Sequence, residues 1–313
     1  MGTEGRHASA GRRKAPRVGA AEGRGVKGTG ATVLSIAAIL AVAALLAWAG
    51  SEGGHRAFGV PVFALCGAVC FALNWLAFVP SLAARTERYY DLTGSLTYLL
   101  VVALALALGN RDPRSLLLGL LVAAWALRLG SFLFARILRE GADRRFDALK
   151  TDPARFLLAW TLQGLWVFLT GSAALAAMTT AAPAPLAALA ALGAGVWAAG
   201  FAIEVAADRQ KAAFRADPGN RDRFIASGLW AWSRHPNYLG EILLWTGVAL
   251  AALPALSGPA LATLVSPLFV YVLLTRVSGV PLLEARADAK WGEDPGYRAY
   301  KARTPVLWPR PPA

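Results

Sequence analysis

The sequence predicts an all-α fold, a polytopic transmembrane helix bundle of about eight spans, and three observations carry that prediction. Apolar residues make up 56% of the 313 positions, charged residues only 16%, and the mean hydropathy is +0.46. Apolar stretches of about 20 residues, the length that crosses some 30 Å of hydrocarbon, recur along the chain. The basic residues gather in alternate loops. A soluble Rossmann or barrel enzyme is excluded by this composition, because no stretch remains for a large aqueous domain.

Taken in order, residues 1–31 carry Arg6, Arg12, Arg13, Lys14, Arg17, Arg24 and Lys27 among small polar residues, which predicts a disordered basic cytoplasmic tail. The first apolar run, 32–50, ends at Trp48 and Gly50 without a persuasive signal-cleavage site and reads as a spanning helix, so 32–56 forms an N-terminal transmembrane unit. The next spans are expected at 57–83, 93–109, 115–138, 155–178, 184–207, 236–254 and 258–277. Cys66 and Cys70 lie four residues apart inside the second span, with no histidine nearby, and read as small hydrophobes rather than as a metal or redox site. Asn74, Gln163 and Trp166 fall within spans as helix-to-helix contacts, and Gly193 and Gly195 as points of close packing.

Eight spans place both termini on one face. Of 32 Lys and Arg residues, 27 then fall on that face, and the opposite loops hold only Arg56, Arg111 and Arg114. That asymmetry predicts an inner or plasma membrane protein with both ends in the cytoplasm. It also accounts for most of the net charge of +13, so no nucleic-acid partner is expected, while the tail is suited to anionic membrane lipids. Nothing calls for an obligatory protein partner.

Polar chemistry is concentrated late in the chain. A dense run begins at Glu204, Asp208, Arg209, Lys211 and Arg215, and continues through Arg221, Arg223, Gly228 and Trp230 to Arg234, His235, Pro236, Asn237, Tyr238, Gly240 and Glu241. Glu204 and Asp208 share a helical face, as do Asn237 and Glu241. Ionisable groups at the mouth of a helix bundle are unfavourable unless they are paired or used. Arginine forks match phosphate oxygens, a helix start at Pro236 adds free N–H groups, and carboxylates suit ribose hydroxyls or hold the arginines in place. The pattern describes an anion site for a nucleotide-type cofactor. No glycine-rich dinucleotide loop or Walker loop is present, so the pocket must be built from helix ends.

These segments, with Pro295, Tyr297, Arg298, Tyr300, Arg303 and Pro305, and with Tyr90, Asp91, Gly94, Trp125 and Arg128 upstream, resemble the steroid 5α-reductase-like family of membrane proteins, in particular its bacterial branch. The resemblance runs from about residue 85 to 309. It implies a seven-span core over 57–313, preceded here by the extra N-terminal helix, with a cofactor pocket within 200–309. The run Arg234, His235, Pro236, Tyr238 and Gly240 is also similar to the motif of sterol C14 and C24 reductases and of isoprenylcysteine methyltransferases. By itself it does not choose between NADPH and S-adenosylmethionine. Two considerations favour NADPH. The placement of Asp208, Arg215 and Arg223 is similar to what the reductases use around the diphosphate and adenosine, and Asn237 falls where they place a group near the nicotinamide. NADPH also brings three phosphates to a set of arginines, whereas S-adenosylmethionine is a cation with one carboxylate.

The resemblance therefore implies an NADPH-dependent reductase of an activated C=C bond in an apolar steroid-, isoprenoid- or lipid-like substrate. The cofactor-binding residues would be Glu204, Asp208, Arg215, Arg223, Arg234, His235, Asn237, Tyr238, Glu241 and Tyr300. A methyltransferase of the isoprenylcysteine type, or a membrane protein without enzymatic activity, stands as the alternative. Steroid 5α-reductases polarise the enone with a Gln-Glu pair, and the similar stretch here has Ala77 and Phe78 before Pro80 and Ser81. Tyr90 and Asp91 at the head of the third span, and Arg128 about 15 Å deep in the fourth, are then the expected catalytic groups.

Overall fold

The computed structural model describes residues 19–312, with side chains from residue 29 onward apart from those of residues 140 and 144. It is an all-α bundle containing eight helices long and apolar enough to cross a membrane, and the chain is an integral membrane protein. Helix α1 spans Gly19–Gly50 and a two-residue hairpin follows, with β1 at Arg56–Ala57 and β2 at Val60–Pro61. Next come α2 (Val62–Ala83), α3 (Tyr90–Leu108), α4 (Pro113–Glu140), α5 (Pro153–Thr179), α6 (Ala188–Ala216) and α7 (Pro236–Ala252). The last hydrophobic segment is broken. It runs as a 3-10 stretch over Gly258–Leu264, α8 over Val265–Val272 and a π-helical turn over Leu273–Val277, before α9 (Val280–Trp291) and α10 (Pro295–Arg303).

Three boundaries differ from the sequence expectation. Residues 57–61 leave the second span to form the hairpin, in which Phe58 and Gly59 both adopt positive φ. The sixth helix starts at Ala188 rather than 184, after Pro183 and Pro185, and runs on to Ala216. Helix α1 begins at Gly19, inside the stretch expected to be a tail, since extending an existing helix is far easier than nucleating one. Residues 1–18 of that expected tail lie outside the described residues.

Helix α5 is the hub of the bundle, and its second half, from Leu165 to Thr179, is almost continuously buried. Small residues there let α1, α2, α3, α4, α7 and α8 all reach it. Asp112 and Asp152 cap α4 and α5 through their carboxylates, each followed by a proline at the first helical position, and Asp294 and Pro295 repeat the device at α10.

The tightest pairing joins α6 to α7 along a glycine seam. A Cβ on Gly200 would lie 2.6 Å from the Gly240 carbonyl oxygen, and one on Gly193 would lie 2.5 Å from that of Gly247. Only glycine allows this approach, and it brings the start of α7 against the middle of α6. At the opposite end, the buried Arg114 guanidinium donates to the carbonyls of Ala184, Pro185 and Ala251, which ties the α5–α6 connection to the end of α7.

Candidate functional site

The seam sets the end of α6, the start of α7, the 217–235 connection and α9–α10 around a cavity of about 320 Å³. Local contacts fix its walls. Gly228 adopts φ +60, and the next amide, of Leu229, donates to the Gln210 side chain at 2.9 Å. Trp230 then turns inward, and its indole N–H donates to the Ala207 carbonyl at 3.0 Å. The Tyr300 hydroxyl donates to the Trp230 carbonyl at 2.8 Å, and the Arg234 amide donates to Pro305, so the C-terminal segment is stitched onto the loop.

The lining is strongly cationic. Lys211, Arg215, Arg223, Arg234, Arg286 and Lys290 border the cavity, against a single carboxylate, Glu284. Glu284 lies 3.0 Å from His235 Nε2, 3.4 Å from Arg234 Nε and 3.1 Å from Lys301 Nζ. Arg215, Arg223 and Arg286 meet no carboxylate within ion-pair distance among the described residues, and all three are exposed at the rim. Lys211 sits over the Trp230 ring at 4.3 Å. Aromatic rings complete the enclosure. Phe224 packs within 5.3 to 6.1 Å of Trp291, Tyr297 and Tyr300.

Burial pushes the His235 imidazole below its ordinary pKa, and the Glu284 carboxylate only partly opposes this. The neutral ring donates from Nε2 to Glu284 and leaves Nδ1, buried and without a hydrogen-bond partner among the described residues, as an acceptor. Burial likewise raises the Tyr300 hydroxyl to about 12, so it stays a neutral donor.

Of the residues singled out in the sequence, Arg215, Arg223, Arg234, His235 and Tyr300 line this cavity. Tyr238 stacks on His235 with centroids 5.5 Å apart, and Asn237 occupies the first turn of α7. Glu204 and Asp208 stand elsewhere. Both pair with Arg128 of α4, Nη1 and Nη2 each lying 2.5 Å from a carboxylate oxygen, and the Trp125 indole donates to Glu204 at 3.2 Å. Glu241 follows Gly240 directly, where a Cβ would meet the Glu204 amide nitrogen at 2.6 Å.

Arg128 is thus engaged by two carboxylates rather than turned toward an open substrate cavity. Tyr90 and Asp91 form a third location. The Tyr90 hydroxyl donates to the Ala159 carbonyl at 2.9 Å and its ring packs on Phe146 and Trp160, while Asp91 lies 3.4 Å from Arg136. Gln163 donates to the Tyr90 carbonyl, holding α3 to α5.

Sequence reasoning passed over Glu284, Arg286 and Lys290. A signal was there: Arg286 with Lys290, and Glu284 with Asp288, each stand four apart just beyond the last span, the spacing of one helical face.

Fold and site together define a multi-spanning helical membrane protein with a cation-lined pocket at one end. The family described as "Protein of unknown function (DUF1295)" matches residues 77–304, and the chain belongs to it. The match begins within α2 and leaves α1 outside. No curated protein and no solved structure matches the chain.

Proposed function

We propose that this protein is an NADPH-dependent reductase of an activated C=C bond in an apolar, lipid-like substrate. One observation carries the reading: six cationic side chains border a cavity with a single carboxylate, walled by aromatic rings. The donor set fits the cofactor. Arg215, Arg223 and Arg286 offer forks free for phosphate oxygens, the rings around Phe224 offer stacking surfaces for a base, and His235 offers a buried acceptor. When bound, the cofactor supplies a hydride. Arg215, Arg223 and Arg286 would hold its phosphates, and the aromatic wall around Phe224 would pack against its base.

The stretch that resembles the steroid 5α-reductase-like proteins coincides with the family match, which supports the same reading. By the basic-residue asymmetry of the sequence, the pocket's end faces the cytosol, where the nucleotide is dissolved, and the substrate arrives from the bilayer.

The test is thermal unfolding of the purified full-length protein with either nucleotide. NADPH at about 100 times its Kd adds about 2.7 kcal/mol of stability and raises Tm. A rise with S-adenosylmethionine and none with NADPH overturns the reading.

A further inference from the structure

The end of the bundle away from the cation-lined pocket carries a second cavity, of about 260 Å³, bordered by Trp48, Ser51, Glu52, Arg56 and Pro61. All of its wall lies upstream of residue 77, where the family match begins. The chain between α1 and α2 is pinned there by its backbone. The His55 amide donates to the carbonyl of Thr179, the last residue of α5, at 2.7 Å, and the Val62 amide donates to the His55 carbonyl at 2.9 Å. Across the hairpin, Arg56 Nη2 donates to the Gly59 carbonyl at 2.6 Å. The volume falls below the roughly 300–1,000 Å³ of sites for drug-sized molecules and suits a small polar group.

Two opposite charges border this cavity without meeting. The Glu52 carboxylate has no hydrogen-bond or ion-pair partner among the described residues, and it stands just past the end of α1, whose last turn holds no basic residue. A helix C-terminus is itself a negative locus, so carboxylate and helix end together attract a cation. Arg56 reaches no carboxylate within ion-pair distance among the described residues, and with Nη2 on Gly59 its Nε and Nη1 remain for an anion. Between them the Ser51 hydroxyl oxygen is buried without a hydrogen-bond partner among the described residues, which is unfavourable unless a ligand pairs with it. The surroundings identify the source of that ligand. Trp48 and Leu45 on α1 are 68% and 67% exposed, and Phe58 at the hairpin tip is 92% exposed. On a spanning helix such a face meets acyl chains, and a ring at its end lies at headgroup level.

We propose that this cavity binds the headgroup of a phospholipid that joins a primary ammonium to a phosphodiester, as phosphatidylethanolamine does. The ammonium donates to Glu52 and to the Ser51 hydroxyl oxygen, and the phosphate accepts from Arg56. The glycerol lies at the level of Trp48, and the acyl chains follow the exposed face of α1 past Leu45. Two features of the wall select this class. An anionic headgroup without an amine would set its charge against Glu52 and leave that carboxylate unpaired, and a quaternary ammonium has no N–H to donate. The bound lipid bridges α1 to the hairpin in the leaflet opposite the cation-lined pocket, so the assignment is independent of the cofactor reading.

The experiment is native mass spectrometry of the full chain released from detergent and titrated with phosphatidylethanolamine, phosphatidylcholine and phosphatidylglycerol carrying identical acyl chains. The expected result is a saturable phosphatidylethanolamine site whose Kd is about fivefold below that of either other lipid, the scale of one exposed ion pair. Glu52→Gln removes this preference. Arg56→Gln weakens phosphatidylethanolamine binding by about fivefold, and Arg56→Lys recovers part of it. Equal affinity for the three lipids in the wild type, or a preference that survives Glu52→Gln, overturns the assignment. A wild-type preference for phosphatidylglycerol overturns it as well, since the site would then read the phosphate alone. Glu52 has no partner to lose, so Glu52→Gln keeps the wild-type melting temperature. If melting curves show Arg56→Gln to be misfolded, Glu52→Gln alone decides.

Discussion

His235 Nε2 lies 3.0 Å from Glu284 Oε1, a contact that joins the residue preceding α7 to the middle of α9. The same carboxylate lies 3.1 Å from Lys301 on α10, so one half-buried acid holds three segments of the pocket wall together. Glu284→Ala should therefore lower stability by about 1.5–3 kcal/mol, the range for hydrogen bonds to charged groups. Chemical or thermal unfolding in detergent measures it, and an unchanged midpoint would show that the wall is held by its aromatic packing alone.

The same pair sets a pH dependence. The folded protein depresses the His235 pKa, so below the ordinary value of about 6.5 the unfolded chain binds a proton that the folded one resists. Stability is expected to be level above that pH and to fall as pH drops through and below it. His235→Gln should flatten this acid limb in a Tm-against-pH series.

Arg128 is ion-paired with two carboxylates at once. Arg128→Ala leaves them as uncompensated buried charge and should cost about 3–5 kcal/mol of stability. Neutralising both partners in the same chain, with Glu204→Gln and Asp208→Asn, should recover more than half of that loss. If the triple variant is no more stable than Arg128→Ala, the pairing contributes little.

For the rim, Arg215→Ala and Arg223→Ala should each weaken NADPH binding by about 1.5–3 kcal/mol, and Arg286→Ala should do the same. Titration by intrinsic fluorescence reads the Kd, and affinity unchanged in all three would mark them as interface anchors.

Topology is open to direct measurement. A reporter fused after residue 313 should read cytoplasmic and one inserted beside Arg111 external, as the basic-residue asymmetry requires. An external C-terminus would turn the pocket away from the cytosol.

Gly240→Val tests the seam. The added side chain meets the Glu204 backbone at 2.6 Å, and overpacking of this kind destabilises by about 1–3 kcal/mol. Because His235, which lines the cavity, directly precedes the helix that the seam holds in place, nucleotide binding should weaken along with Tm.

The eight spans were legible in the chain because hydropathy accumulates along contiguous residues: a run such as 155–178 is apolar whatever it packs against, and α5 covers it. The clustering of cationic residues was legible for a related reason, since Arg215, Arg223, Arg234 and His235 lie within one short stretch and the helix ends gather them at one cavity. Tertiary structure alone decided the partners. Arg128 meets Glu204 and Asp208 across 76 and 80 residues, and the Tyr90 hydroxyl reaches Ala159 across 69. Such pairings depend on how helices are rotated and how closely their backbones approach, which glycine contacts such as Gly200 with Gly240 set and which no local window contains. The cations of α9 follow the same rule, because Arg286 and Lys290 become pocket residues only once Glu284 docks that helix onto His235.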